Sequence, residues 1–92
     1  INTVDAIILT GVLEQCYDPY QLINGVFNLL KNGGLALFGF VSTNFLPYST
    51  DYWRVTKMGG DRLVLSQFLI VESHIVGDPK NPEYLFYIAR KP

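Results

Sequence analysis

The residues best suited to chemistry fall into two groups. Thr10, Gly11, Leu13, Glu14 and Gln15 follow an apolar run near the start of the chain. A carboxylate there can take a proton from a nucleophile or lie beside a positive charge, and a glycine lets a ligand approach the backbone closely. Tyr48, Asp51, Tyr52, Trp53 and Arg54 form the second group. Their aromatic faces suit a sugar or a flat ring, and their charged groups can orient it. Each group also has a plain reading: a strand end with a solvated Glu14–Gln15 pair, and a loop packed down by its aromatics. Phe45 and Tyr48 suit packing in particular. His74 is the only histidine and falls mid-strand, where a structural or surface role is expected. Cys16 is the only cysteine and reads as a small, half-buried residue. One histidine and one cysteine this far apart build no metal site, and no Ser/His/Asp or Cys/His constellation is present.

These groups need elements to hold them. Ala6 to Leu9 is an unbroken apolar run, as in a strand covered on both faces of a parallel sheet, and the strand is expected over residues 4–10. Asp18 can cap a helix that Pro19 opens. Leu22, Ile23, Val26, Phe27, Leu29 and Leu30 recur at helical spacing. Asn32-Gly33-Gly34 is expected to stop that helix, and Leu35 to Val41 is a second apolar strand. A strand, a crossover helix and a second strand make a βαβ unit with parallel strands. Ligands bind beyond the carboxyl ends of such strands, which puts residues 10–15 and 42–44 on one rim.

Residues 42–56 have no sustained period and read as a lid or binding loop. Thr56 can cap a second helix reaching about Phe68, although Gly59-Gly60 weakens its first turn by roughly 1 kcal/mol per glycine. Leu69 to Val76 reads as an edge strand with a polar centre. Gly77 to Pro82 is a turn-rich loop. Glu83 to Lys91 is apolar on both alternating sets, which places that strand inside a sheet. Antiparallel insertion between the second strand and the Leu69–Val76 strand achieves this.

The chain has 92 residues, about half hydrophobic, and a net charge of −1, so one domain is expected over residues 1–92. Its basic residues are scattered, which gives nucleic-acid binding no electrostatic footing. No apolar run approaches the roughly 20 residues of a membrane span, and no signal peptide is visible. A lone cysteine fits a reducing, cytoplasmic setting. Opening on Ile1 just before a buried-type strand, the sequence reads as a fragment, an engineered half or the ordered remainder of a longer chain.

Val12-Leu13-Glu14, Asp18-Pro19 and the Leu30-Lys31-Asn32-Gly33-Gly34 segment, in that order, resemble the region around the fourth and fifth strands of class I S-adenosylmethionine-dependent methyltransferases. Gln15 stands where that family commonly has His, and Asn32 where it commonly has Pro. Asp51-Tyr52-Trp53-Arg54-Val55-Thr56 is similar to an Asp-Tyr-Trp-Arg-Phe-Thr segment of members linked to glycan biosynthesis. The resemblance covers nearly the whole chain but only the carboxyl-terminal half of the family's domain. It implies a partial Rossmann-like α/β fold, β-α-β-α-β-β, with strand order 1-2-4-3 and the last strand antiparallel. It further implies methyl transfer from S-adenosylmethionine to a small-molecule or glycan-type acceptor. Thr10, Gly11, Leu13, Glu14 and Gln15 would face the cofactor, with Glu14 the catalytic candidate. Tyr48, Asp51, Tyr52, Trp53 and Arg54 would face the acceptor.

The family's glycine-rich turn and its ribose-binding acidic residue both fall upstream of Ile1. The isolated chain is therefore expected to bind the cofactor weakly and to be inactive. Its first strand would be left as an apolar edge, open to a second copy or to an amino-terminal half. The alternatives are a non-catalytic α/β module that assembles through this edge, and an unrelated small α/β domain of similar spacing.

Overall fold

A computed structural model describes residues 2–42 and 52–92. Strand β1 (Val4–Thr10) leads through a 3-10 turn (Leu13–Gln15) into helix α1 (Pro19–Leu29) and strand β2 (Leu30–Val41). Helix α2 (Lys57–Leu65) and the hairpin of β3 (Leu69–Asp78) and β4 (Asn81–Arg90) complete the fold. The four strands form one sheet in the order β1-β2-β4-β3. β1 and β2 are parallel, and β4 is antiparallel to both its neighbours. This is the expected architecture, with the last strand inserted at the interior.

Local signals start both helices. The Asp18 carboxylate accepts from the Tyr20 and Gln21 amides, with Pro19 at the first helical position. The Thr56 hydroxyl accepts from the Gly59 amide at 3.0 Å. These side chains satisfy amides that have no partner inside the helix.

Helix α1 stops earlier than the Asn32-Gly33-Gly34 signal suggests. Leu30 is already extended (φ −78°, ψ 142°) and fully buried. Distant groups take over the helix's last carbonyls. The Asn2 and Thr3 amides donate to Asn28 and Leu29, and the Lys91 ammonium donates to Phe27 and Leu30. β2 therefore begins at Leu30, with a register break against β1 between Val4 and Ala6. Gly33 does adopt positive φ (+80°), within the strand, where its amide donates to the Lys91 carbonyl. Helix α2 ends at Leu65, short of Phe68, which is buried in the core. The loop expected over 77–82 contracts to a tight hairpin, with Asp78 opposite Asn81.

Both helices pack on one face of the sheet. Ile23, Val26, Leu63, Val64 and Phe68 meet Ala36, Phe38, Phe40, Leu85, Tyr87 and Ala89 there. Phe68 makes edge-to-face contacts with Phe27 and Phe38 at 5.6 and 5.5 Å. Ile7 and Leu9 of β1 join this core as half-buried residues. The alternate residues do not: Ala6 is exposed and Ile8 is 74% exposed. The expectation of a first strand covered on both faces is thus met on one face only among the described residues.

Candidate functional site

The carboxyl ends of β1 and β2 lie side by side, as parallel pairing requires. Thr10 pairs with Gly39, which pairs in turn with Phe86 of β4. With Gly11, Phe40, Val41 and Tyr84 they line an open depression of about 310 Å³. At Gly39 the Thr10 methyl and the Phe86 ring close over the backbone. A Cβ at that position would lie 2.8 Å from the Thr10 methyl and 2.9 Å from the Phe86 ring. Gly11 has φ +69° and nothing within 4 Å of where a Cβ would stand, so its backbone is open to approach.

The other rim residues named from the sequence take different places. The Gln15 amide nitrogen donates to the Gly11 carbonyl at 2.9 Å and braces that turn. Leu13 is 1% exposed, and its side chain belongs to the core. Glu14 is fully buried, which overturns the solvated reading of the Glu14–Gln15 pair. Its Oε2 accepts from the Val41 amide at 3.1 Å. Its backbone carbonyl accepts from the Tyr52 and Trp53 amides at 2.6 and 3.2 Å. Glu14 therefore clasps the end of β2 and the segment before α2 onto the 3-10 turn.

The acceptor candidates are divided. Tyr48 and Asp51 lie outside the described residues, as do Asn44 and Phe45. Trp53 is held by its indole N–H, which donates to the Cys16 carbonyl at 2.6 Å. Tyr52 stacks on Tyr17 with centroids 5.0 Å apart. Its hydroxyl pKa is raised, first by a hydrogen bond with Tyr17 and then by burial. Arg54 is exposed, and its guanidinium donates to the Trp53 carbonyl at 2.8 Å. Trp53 lines a second, shallow groove of about 720 Å³ where the first turns of α1 and α2 converge, along with Tyr17, Tyr20, Met58 and Arg62. Among the described residues this groove shares no lining residue with the rim depression. Of the first group Thr10 and Gly11 line the rim depression, and of the second Trp53 lines the groove.

Sequence reasoning missed Gly39, Tyr84 and Phe86 on the rim, and Tyr17, Tyr20, Met58 and Arg62 in the groove. A glycine inside an apolar strand signals close approach of another group, so Gly39 was findable. The groove residues come from two helices whose relative placement no local pattern gives.

A third cluster joins α2 to the sheet. The Tyr87 hydroxyl donates to Asp61 Oδ1 at 2.8 Å, and Lys57 donates to the same oxygen. Burial, then the hydrogen bond to Asp61, pushes the Tyr87 pKa well above its ordinary value. Burial works to raise the Asp61 pKa, but the hydrogen bonds from Lys57 and Tyr87 and the Lys57 charge outweigh it and hold it low. His74 is exposed on β3, 4.0 Å from Glu72. Among the described residues no group of three His, Cys, Asp or Glu side chains is placed to hold a metal. No described helix is long and apolar enough to cross a membrane.

No family model and no curated protein matches the sequence. Solved structures match the fold. The 1,6-didemethyltoxoflavin-N1-methyltransferase of Burkholderia thailandensis, with bound 1,6-didemethyltoxoflavin and S-adenosylhomocysteine, superposes with a TM-score of 0.78 at 20% identity. That match covers 98% of this chain and 44% of the enzyme. The N-methyltransferase NodS of Bradyrhizobium japonicum, with S-adenosylhomocysteine, gives 0.72 at 18% identity, covering 99% of this chain and 47% of NodS. The [4+2]-cyclase SpnF gives 0.78 at 15% identity, covering 99% of this chain and 50% of SpnF. The chain thus has a methyltransferase-like fold and spans about half the length of these proteins. A cyclase among them shows that the fold alone does not fix the reaction.

Proposed function

We infer that the chain is the carboxyl-terminal half of an S-adenosylmethionine-dependent methyltransferase acting on a small-molecule or glycan-type acceptor. The observation that carries this reading is the depression where β1 and β2 end. Gly11 leaves backbone open to approach there, and Tyr84 and Phe86 supply its aromatic lining. Aromatic faces attract a cation, so these residues fit the sulfonium end of the cofactor. At about 310 Å³ the depression is too small to enclose the whole cofactor. When bound, S-adenosylmethionine supplies an electrophilic methyl group.

The chain's own contribution is alignment, which in-line transfer chiefly requires. Thr10 and Gly11 present backbone at the rim. Gln15 fixes the Gly11 turn, and Glu14 holds that turn against Val41 and the Trp53 segment. An acceptor ring would rest in the groove on Tyr17, Tyr20 and Trp53, with Arg62 to orient its polar groups. A second reading, a non-catalytic α/β module that assembles through its open edge, draws support from the 74% exposure of Ile8.

Titrating S-adenosylhomocysteine into isotope-labelled protein tests the first reading. The amides of Thr10, Gly11, Gly39, Tyr84 and Phe86 should shift together with weak, roughly millimolar affinity. Gly39→Val should abolish those shifts while leaving the rest of the spectrum in place. No shift at the rim, or tight binding by this chain alone, overturns the half-site reading.

A further inference from the structure

The groove where the first turns of α1 and α2 converge holds several polar side chains, and most of them already have partners. The Asp18 carboxylate accepts from the Tyr20 and Gln21 amides, and the Thr56 hydroxyl accepts from the Gly59 amide. The Trp53 indole N–H donates to the Cys16 carbonyl. The Tyr17 hydroxyl is hydrogen-bonded to that of Tyr52. Two polar groups are left over. The Arg62 guanidinium and the Tyr20 hydroxyl have no partner among the described residues.

The charges of the groove balance everywhere but at Arg62. Asp18 sits at the positive end of α1, which offsets its carboxylate. An adjoining lobe of about 540 Å³ shares Tyr20, Met58 and Arg62 with the first and adds Asp61. Asp61 is neutralised by Lys57. Arg62, where the two lobes meet, is therefore the cation of the groove that lacks a counter-charge among the described residues.

We propose that this groove binds a planar ring bearing an anionic group, of the aromatic carboxylate class, with the ring against Tyr20 and Trp53 and the anion on Arg62. Trp53 has committed its one donor, so it offers a ligand only its ring. Aromatic faces hold a flat ring by stacking, and a guanidinium holds a carboxylate by two parallel hydrogen bonds. Met58 is 80% exposed and adds a polarizable side chain that adapts to a ring. A neutral sugar fits poorly. Its hydroxyls call for several donors and acceptors, and the groove leaves chiefly Arg62 and Tyr20 to supply them. Of the two acceptor types, the groove thus selects the small aromatic acid. Naming this ligand as the acceptor rests on the methyl-transfer reading; its binding does not.

The chain has one tryptophan, so its indole N–H gives one signal in the spectrum of isotope-labelled protein. Benzoate should move that signal, together with the Tyr20 and Met58 amides, to saturation with roughly millimolar affinity. Benzamide, the same ring without the charge, should bind roughly ten-fold more weakly, and methyl glucoside should leave the signals in place. Added salt should weaken benzoate binding and spare benzamide binding. Arg62→Gln, at an exposed position, should keep the spectrum of the folded protein and bring benzoate down to the affinity of benzamide. The proposal is overturned if the unmodified protein shows no saturable shift with benzoate up to about 20 mM, or binds benzamide or the glucoside equally well. Benzoate binding that Arg62→Gln leaves unchanged also overturns it. S-adenosylhomocysteine, read at Thr10, Gly11 and Gly39, tests the methyl-transfer reading separately. A silent rim beside a saturating groove removes the transfer and keeps the ligand.

Discussion

Glu14 shows how far a residue's type can mislead about its surroundings. A carboxylate on a rim loop suggests an acid or base, yet this one is fully buried and its Oε2 accepts the amide that ends β2. That partner is 27 residues away in sequence, so no local pattern could have exposed the contact. Glu14→Ala removes a charged acceptor from a buried donor and should cost about 2–3 kcal/mol, read by urea denaturation. Glu14→Gln retains an acceptor oxygen and should recover part of that loss.

The Lys57–Asp61–Tyr87 cluster makes stability depend on pH at both extremes. Asp61 has a lowered pKa when folded, so its stabilisation is present at neutral pH and lost as pH falls through that lowered value. Tyr87 has a raised pKa, so its stabilisation is full below its ordinary 10.0 and declines as pH rises beyond that. Denaturation midpoints across pH should therefore fall at both ends. Asp61→Asn should flatten the acid limb and Tyr87→Phe the alkaline one.

Among the elements, the helix starts were legible and the helix ends were not. Asp18-Pro19 and Thr56 are local signals that act on the next three residues, and both caps form as read. The end of α1 is imposed from outside, chiefly by Lys91. Its ammonium is 2.8, 2.7 and 2.8 Å from acceptors on Asn2, Phe27 and Leu30, and it lies 4.2 Å from the centre of the Phe27 ring. Lys91→Met keeps the stem but strands those acceptors. It should cost about 2–3 kcal/mol and lower the melting temperature by about 10 °C or more.

Helix α2 poses the opposite puzzle, since Gly59-Gly60 should weaken it. Gly60 is explained by the sheet, because a Cβ there would sit 2.5 Å from the Tyr87 hydroxyl oxygen. In an exposed helix Gly→Ala gains about 1 kcal/mol. Here Gly60→Ala should destabilise instead, and adding Tyr87→Phe should remove most of that penalty. A double-mutant cycle by thermal denaturation would measure the coupling.

For the whole molecule, strand order was legible because β4 is apolar on both alternating sets and so could not be an edge. The separation of the rim depression from the aromatic groove was not legible, because it depends on how α1 and α2 sit against one sheet face. The rim's own parts were half visible: Thr10 and Gly11 from chain order, and Gly39, Tyr84 and Phe86 only once the β2–β4 register was known.

The position of β4 also governs the order of assembly. The strand joined last to the chain is the one that knits β2 to β3, and the lysine that closes α1 comes directly after it. Phe38 and Phe40 of β2 lack half of their inner-face neighbours until β4 is inserted beside them, so the amides of these two strands should gain exchange protection together despite the long separation in sequence.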